Sequence, residues 1–280
     1  MKNTLLSILL LLASILQSQT YQVFNKSQES ISFDLLASQL KDVDVVFFGE
    51  VHDDSIGHLA QLDLLQAIKK STKNKVALSM EMFETDVQLV LNEYLEGKIS
   101  EDVFVKDARA WPKYSTDYKP LVEAMKSDGL HVIAANAPRR YVKMVTKNGL
   151  SALDKLSYQA KTYLAKLPIH VAKGKYEEKF AAVMEGHNMS GNTIYQSQNL
   201  WDATMAKSIY DYQKEHTKEK ILHVCGKFHC EESLGTVAQL QRLNGKIKTV
   251  VIISLPMSEY KEMTMEAKQK LGDYLVVTGI

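Results

Sequence analysis

Short runs rich in Val, Ile, Leu and Phe alternate along this chain with longer segments whose apolar residues recur every three or four positions. Val43–Phe48, Lys75–Met80, Leu130–Ala135, Ile221–Cys225 and Lys248–Leu255 are five such runs, and Tyr274–Thr278 is a sixth. Apolar runs without strict alternation predict strands buried on both faces, the arrangement of a parallel sheet. Between them, His58–Lys70 places Leu62, Leu65 and Ile68 on one helical face. Lys69 and Lys70 close that segment, where the helix dipole favours cations. Thr85 and Gln88 have the spacing of a capping box opening a helix to Leu95. Strand–helix alternation predicts an α/β fold with a mostly parallel sheet flanked by helices. From Ser151 to about His216 the strand signal lapses. Ser151–Leu167, Tyr176–Glu185 and Gln196–His216 are expected as helices of an all-helical insertion lying over one end of the sheet.

The start of the chain follows a different rule. Lys2 supplies a positive charge, Leu5–Leu12 is almost wholly apolar, and Ala13, Ser14 and Ser18 are small. That order is expected of a secretory signal peptide over residues 1–18, leaving 19–280 as one α/β domain with the insertion at about 151–216. The expected location is therefore periplasmic or secreted. No cysteine follows the apolar run as a lipidation site, and no other run reaches membrane-spanning length. The remaining composition is ordinary for a globular chain, with 45% hydrophobic and 24% charged residues. Lysine and arginine total 34 against 33 acidic residues, so no long-range field gathers phosphate and nucleic-acid binding is not expected. Cys225 and Cys230 flank a strand end and are expected to stay reduced.

Chemistry-capable residues fall where the strands end. The first run closes Gly49-Glu50-Val51-His52, with His58 soon after. The second closes Met80-Glu81-Met82-Phe83-Glu84, the third Asn136-Ala137-Pro138-Arg139-Arg140, and the fourth Gly226-Lys227-Phe228-His229. In open α/β sheets ligands bind outside the carboxyl ends of the strands. Glu50, His52, Glu81, Asn136, Arg139 and His229 are thus expected in one crevice, a set suited to a divalent metal or to acid–base work. Glycine after a buried strand permits a sharp turn, and two Gly-x-x-His tetrads are harder to attribute to chance than one. The competing view makes both histidines hydrogen-bonded loop residues. Glu81 is expected to be the most buried carboxylate, and Arg139 to clamp a carboxylate or to pair with Glu50 or Glu81. His131, His170, His187, His216 and His223 fit no constellation. No Gly-x-Gly-x-x-Gly, Gly-x-Ser-x-Gly or His-Glu-x-x-His motif is present.

Aromatic residues form a second group: Trp111, Tyr114 and Tyr118 before the third run, Tyr141 after Arg139, and Tyr158, Tyr163, Tyr176, Tyr195, Trp201, Tyr210 and Tyr212 in the insertion. Most are expected to be packing residues, yet a flat apolar cofactor needs such a wall and ferric iron accepts a tyrosine oxygen. Gln198, Asp202 and Met205 share one helical face.

Six blocks in this order resemble the ChaN family of haem-binding uptake proteins, grouped with the Tiki/TraB and erythromycin-esterase-like proteins. They are Gly49-Glu50-Val51-His52-Asp53, Glu81-Met82-Phe83-Glu84, Trp111-x-x-Tyr114-x-x-x-Tyr118, Asn136-Ala137-Pro138-Arg139-Arg140, Gln198-x-x-Trp201-Asp202-Ala203-Thr204-Met205-Ala206 and Gly226-Lys227-Phe228-His229. The resemblance spans about residues 35 to 255 and implies an α/β core, haem binding and a role in iron acquisition. It further implies a possible homodimer enclosing the haem and an outer-membrane haem receptor as partner. Arg139, Asn136, Trp111, Tyr114 and Tyr118 are the expected cofactor-binding residues. The wider superfamily includes metal-dependent hydrolases, which implies an alternative: Glu50, His52 and His229 holding a divalent metal, with Glu81 as general base and all four as the catalytic set. A third reading is a non-enzymatic interaction protein that binds neither haem nor metal.

Overall fold

The sheet separates two layers of buried apolar side chains, one on each face. The computed structural model describes residues 20–185 and 192–280, so the expected signal peptide and His187 lie outside the described residues. Its strands are β1 (Tyr21–Asn25), β2 (Ser30–Ile31), β3 (Val45–Glu50), β4 (Val76–Glu84), β5 (Val132–Asn136), β6 (Lys220–Gly226), β7 (Thr249–Pro256) and β8 (Tyr274–Thr278). They form one eight-stranded sheet in the order β2-β1-β8-β7-β3-β6-β4-β5. The six apolar runs supply six mutually parallel strands, β3 to β8. The short edge strands β1 and β2 run antiparallel.

Alternate residues of each central strand enter opposite layers. Val46, Phe48, Leu78, Met80, Leu222 and Val224 face one core, which Leu64, Leu65 and Ile68 of the helix Ser55–Thr72 cover. Val45, Phe47, Ala77, Ile221 and Cys225 face the other, covered by Met205, Ala206 and Ile209 of the long helix Asn192–Glu215 and by Val237 and Leu240 of Gly235–Leu243. The helix Ser55–Thr72 is fixed at its start by Asp54, whose Oδ1 accepts the amides of Ile56 and Gly57 at 3.1 Å each. It ends at Lys73, in the left-handed region.

Three expectations about elements are corrected. Ser151–Leu167 is not one helix: a 3-10 segment, Leu150–Lys155, and a short helix, Tyr158–Thr162, lead into irregular chain that packs through Leu153, Leu164 and Ile169 on the helix Arg139–Asn148. The Asn192–Glu215 helix is no insertion over the sheet's end but one of its covering layers. Thr85 does not cap; its hydroxyl donates to the Tyr163 carbonyl, while Gln88 bonds the backbone of Val132 and Ala134 and ties its helix to β5.

The Gly-x-x-His turns explain their own glycines. A Cβ at Gly49 would sit 2.7 Å from both Cys230 Sγ and Ile253 Cδ1 and 2.9 Å from Lys227 Cα. Cys225 and Cys230 are both free and buried. Gly49→Ala is expected to cost about 1–3 kcal/mol of unfolding free energy in urea titration. Gly245→Ala, whose nearest atom would lie 3.7 Å away, is expected to stay within about 0.5 kcal/mol of the parent.

Candidate functional site

At the carboxyl ends of β3, β4 and β6, two carboxylates are enclosed where the apolar strands stop. Glu50 is 1% exposed and Glu81 6%, so Glu50 and not Glu81 is the more enclosed. Bringing a carboxylate out of water is costly unless partners replace its hydration. Glu50 Oε1 accepts from His52 Nδ1 at 2.8 Å and from the Tyr118 hydroxyl at 2.7 Å. Its Oε2 accepts from the Gln61 amide and lies 3.5 Å from His58 Nε2. His58, buried on the first turns of its helix, reaches this crevice and stands between Glu50 and Asp117, 3.5 Å from each. Burial pushes the Glu50 carboxyl up, but contacts with His52, His58 and Tyr118 outweigh it and hold it down at about 2. His52 is correspondingly raised, first by its bond to Glu50.

Glu81 repeats the arrangement on the next strand. Its Oε2 accepts the Gly226 amide at 2.7 Å, and its Oε1 lies 3.5 Å from His229 Nε2. On the other side of the ring, His229 Nδ1 bonds Asp202 Oδ1 at 2.7 Å. Asp202, fully buried on the long helix, also accepts from Thr236 at 3.0 Å and from Tyr176 at 2.6 Å. Burial disfavours a charged His229, yet Glu81 and Asp202 overrule it and raise its pKa well above the ordinary value. Burial likewise pushes Glu81 up, and His229, His52 and the Gly226 amide bring it below its usual range. The two halves meet at Gly226: a Cβ there would lie 2.9 Å from His52 Nε2 and 3.7 Å from Glu81 Oε2. Both tetrad histidines therefore lie near Glu81.

Other expected residues are placed differently. Arg139 does not reach this crevice. Strand β4 runs on to Glu84 past an irregularity after Met80, and Glu84 pairs with Asn136. Arg139 consequently approaches Glu84, at 4.0 Å, with its side chain 68% exposed. Together with Arg109, Arg140, Lys143 and Glu84 it lines a separate surface cavity of about 400 Å³. Asn136 is buried and caps the Ala137 amide at 2.8 Å. Tyr114 is core, packed on Phe83 and Phe104. Tyr118 is spent on Glu50, and only Trp111, edge-on to His52 at 5.2 Å, stands at the crevice mouth. These aromatics thus form no open wall.

Glu50, His52 and His229 are not assembled as a metal-ligand set. Glu50 uses both oxygens and His52 its Nδ1 on partners within the protein. Among the described residues, the His, Cys, Asp and Glu side chains bringing three ligand atoms within 4.8 Å of one another are His131, His216 and Glu219. Gln61, His58, Asp117, Tyr176, Asp202 and Thr236 complete the buried network; Gln61, Asp117 and Thr236 escaped residue-by-residue reading, whereas for His58 capping its helix, reaching the crevice and facing solvent were equally open. Only the shared helical face of Gln198 and Asp202 and their place in one family block pointed to Asp202. His223 is a core residue, bonded to Ser79 at 2.9 Å and pushed down to about 3 by burial.

A family model for haem-binding uptake proteins of the Tiki superfamily, ChaN, matches residues 36–240. Among solved structures, one titled as cofacial haem binding to ChaN of Campylobacter jejuni superposes with a TM-score of 0.70. It is 17% identical and covers 92% of this chain and 96% of that one. An erythromycin esterase mutant in its open conformation gives a TM-score of 0.50 at 11% identity, covering 85% of this chain and 77% of the other. The chloroplastic protein RETICULATA-RELATED 5 of Arabidopsis thaliana is 23% identical over 125 residues, 41% of this chain but 17% of its own length. The chain therefore spans under a fifth of that relative. At these identities the superpositions establish the shared α/β fold.

The network sets a pH dependence. His229 binds its proton more tightly folded than unfolded, so its contribution is full below about pH 6.5 and declines as pH rises through its raised folded value. Between pH 6 and 9 the parent is expected to lose stability relative to His229→Asn, by up to about 1.4 kcal/mol per unit. Parallel thermal-melt profiles for the two proteins would contradict this.

Proposed function

The chain belongs to the ChaN family of haem-binding uptake proteins in the Tiki superfamily, and from that premise we propose that it is an exported carrier that binds haem and hands haem or its iron onward. The family match over residues 36–240 carries the reading. Export rests on the charged, apolar and small-residue order of residues 1–18. No helix among the described residues is long and apolar enough to cross a membrane.

Two surface features suit such a cargo. Haem carries two carboxylates, and in the cavity bounded by Arg109, Arg139, Arg140 and Lys143 the first and third are paired with Glu84 and Asp86, which leaves Arg139 and Lys143 as the cations best placed to meet them. Ferric haem accepts a phenolic oxygen. Of the thirteen tyrosines, all within the described residues, Tyr158 alone is largely exposed, at 86%. The helix it opens is capped by Tyr163, whose ring centre is 5.9 Å from the Arg140 guanidinium. Arg139 is thus kept as a cofactor residue at a site different from the crevice, whereas Asn136, Tyr114 and Tyr118 are committed to internal bonds and packing. A homodimer and an outer-membrane haem receptor belong to the same proposal as the means of enclosing and receiving the cargo.

The metal-dependent hydrolase reading lacks its ligand set, since the partners of Glu50 and His52 are internal. Titration with haemin is expected to give a shifted Soret band that saturates. Arg139→Ala combined with Lys143→Ala is expected to weaken binding roughly tenfold, and Tyr158→Phe to change the band position. Haemin that keeps its free spectrum at protein excess would overturn the proposal.

A further inference from the structure

At the opposite end of the sheet, where strands begin, three residues without an assigned role come together. His131 immediately precedes β5, His216 follows the last turn of the Asn192–Glu215 helix, and Glu219 immediately precedes β6. Each offers one ligand atom, and these atoms lie within 4.8 Å of one another. Their placement is fixed by backbone as well as side chain. The Glu219 amide donates to the His216 carbonyl at 3.0 Å, closing the turn between helix and strand, and the Leu78 amide donates to the His131 carbonyl at 3.0 Å.

Tyr212 locks the side chains. Its hydroxyl donates to Glu219 Oε2 at 2.6 Å and lies 2.6 Å from His131 Nδ1, so one phenol fixes both a carboxylate and an imidazole. Its ring stacks on His216 at 4.2 Å, with 12° between the planes, while the His131 and His216 rings meet nearly edge-on at 5.2 Å. Neighbouring groups that orient ligating imidazoles and carboxylates are the usual support of a metal site. His131 and His216 also line a surface cavity of about 520 Å³ with Glu215 and the Lys207–Asp211 ion pair, which leaves the cluster open to solvent. Glu219 Oε1 lies 3.4 Å from His216 Nδ1, an internal pair that a bound ion would replace.

We propose that His131, His216 and Glu219 form a surface site for one borderline divalent metal ion of the Zn²⁺ type, with water completing the coordination. Two imidazoles and one carboxylate match the ligand preference of Zn²⁺, Ni²⁺ and Cu²⁺ and not that of Mg²⁺ or Ca²⁺. The ion would cross-link the starts of β5 and β6 to the end of the long helix. The site lies across the sheet from the Gly-x-x-His turns, so it does not depend on the haem reading.

The test is calorimetric titration of Zn²⁺ into untagged, chelator-treated protein, with Mg²⁺ as the comparison ion. One saturable Zn²⁺ equivalent is expected, with no Mg²⁺ heat. His131→Ala, His216→Ala and Glu219→Gln are each expected to weaken it at least about tenfold while leaving the metal-free melting temperature within a few degrees. Absence of a saturable Zn²⁺ site in the parent would overturn the proposal. So would parental affinity in a folded His131→Ala/His216→Ala double variant, because the ligands would then lie elsewhere.

Discussion

Two carboxylates held at the ends of apolar strands, and the imidazoles that keep them there, are the constraint on which this structure depends. Glu50 and Glu81 stand where β3 and β4 leave the sheet, with almost no contact with water. A charged group so placed is stable only if every lone pair is met, and removing one partner of a buried pair costs several kcal/mol. The fold meets that demand by calling on distant segments. Gln61 and His58 come from the helix Ser55–Thr72, Tyr118 from the π-helical segment Tyr114–Tyr118, and Asp202 from the long helix, all arriving at strand ends set by β3, β4 and β6. The network therefore ties both covering layers to the sheet. The two Gly-x-x-His turns are its hinge points: Gly49 admits Cys230 and Ile253, and Gly226 admits His52.

How much of this was legible follows from which interactions are local. The six central strands were readable because burial on both faces removes polar alternation, and the tetrads because glycine and histidine follow those strands directly. The short strands β1 and β2 were not, since β2 has two residues and β1 pairs antiparallel with β8, more than two hundred positions away. The placement of Arg139 was misjudged for a related reason. Nothing in the composition of β4 signals that it continues to Glu84, and that continuation turns the arginine toward a different carboxylate. Asp202, Tyr118 and Gln61 were equally hidden as partners, because an i, i+4 face shows that residues are neighbours without showing what they meet. His131 and His216 read as bland for the same cause: 85 positions separate them, and only the sheet order brings β5 and the long helix together.

Function on this fold separates from the feature that holds it together. In the buried network both oxygens of Glu50 are engaged within the protein, while the two ring nitrogens of His58 have no hydrogen-bond partner. The surfaces proposed to take a guest lie elsewhere: the arginine-lined cavity beside β4 for an anionic cofactor, and the His131 cluster at the opposite end of the sheet for a cation. A shared superfamily fold is compatible with both a hydrolase and a haem carrier, and what the superfamily blocks conserve here as geometry is the frame.

Glu81 and Asp202 raise the His229 pKa well above its ordinary value and so favour its imidazolium, while burial keeps His223, three residues before the end of β6, neutral. Histidine-labelled protein followed by ¹⁵N NMR from pH 5 to 8 tests it directly. The account predicts imidazolium nitrogen shifts for His229 that do not move over that range, and unmoving neutral-ring shifts for His223. A His229 that titrates with a midpoint near 6.5 would contradict it, because the buried carboxylates would then lack the charge that holds them in place.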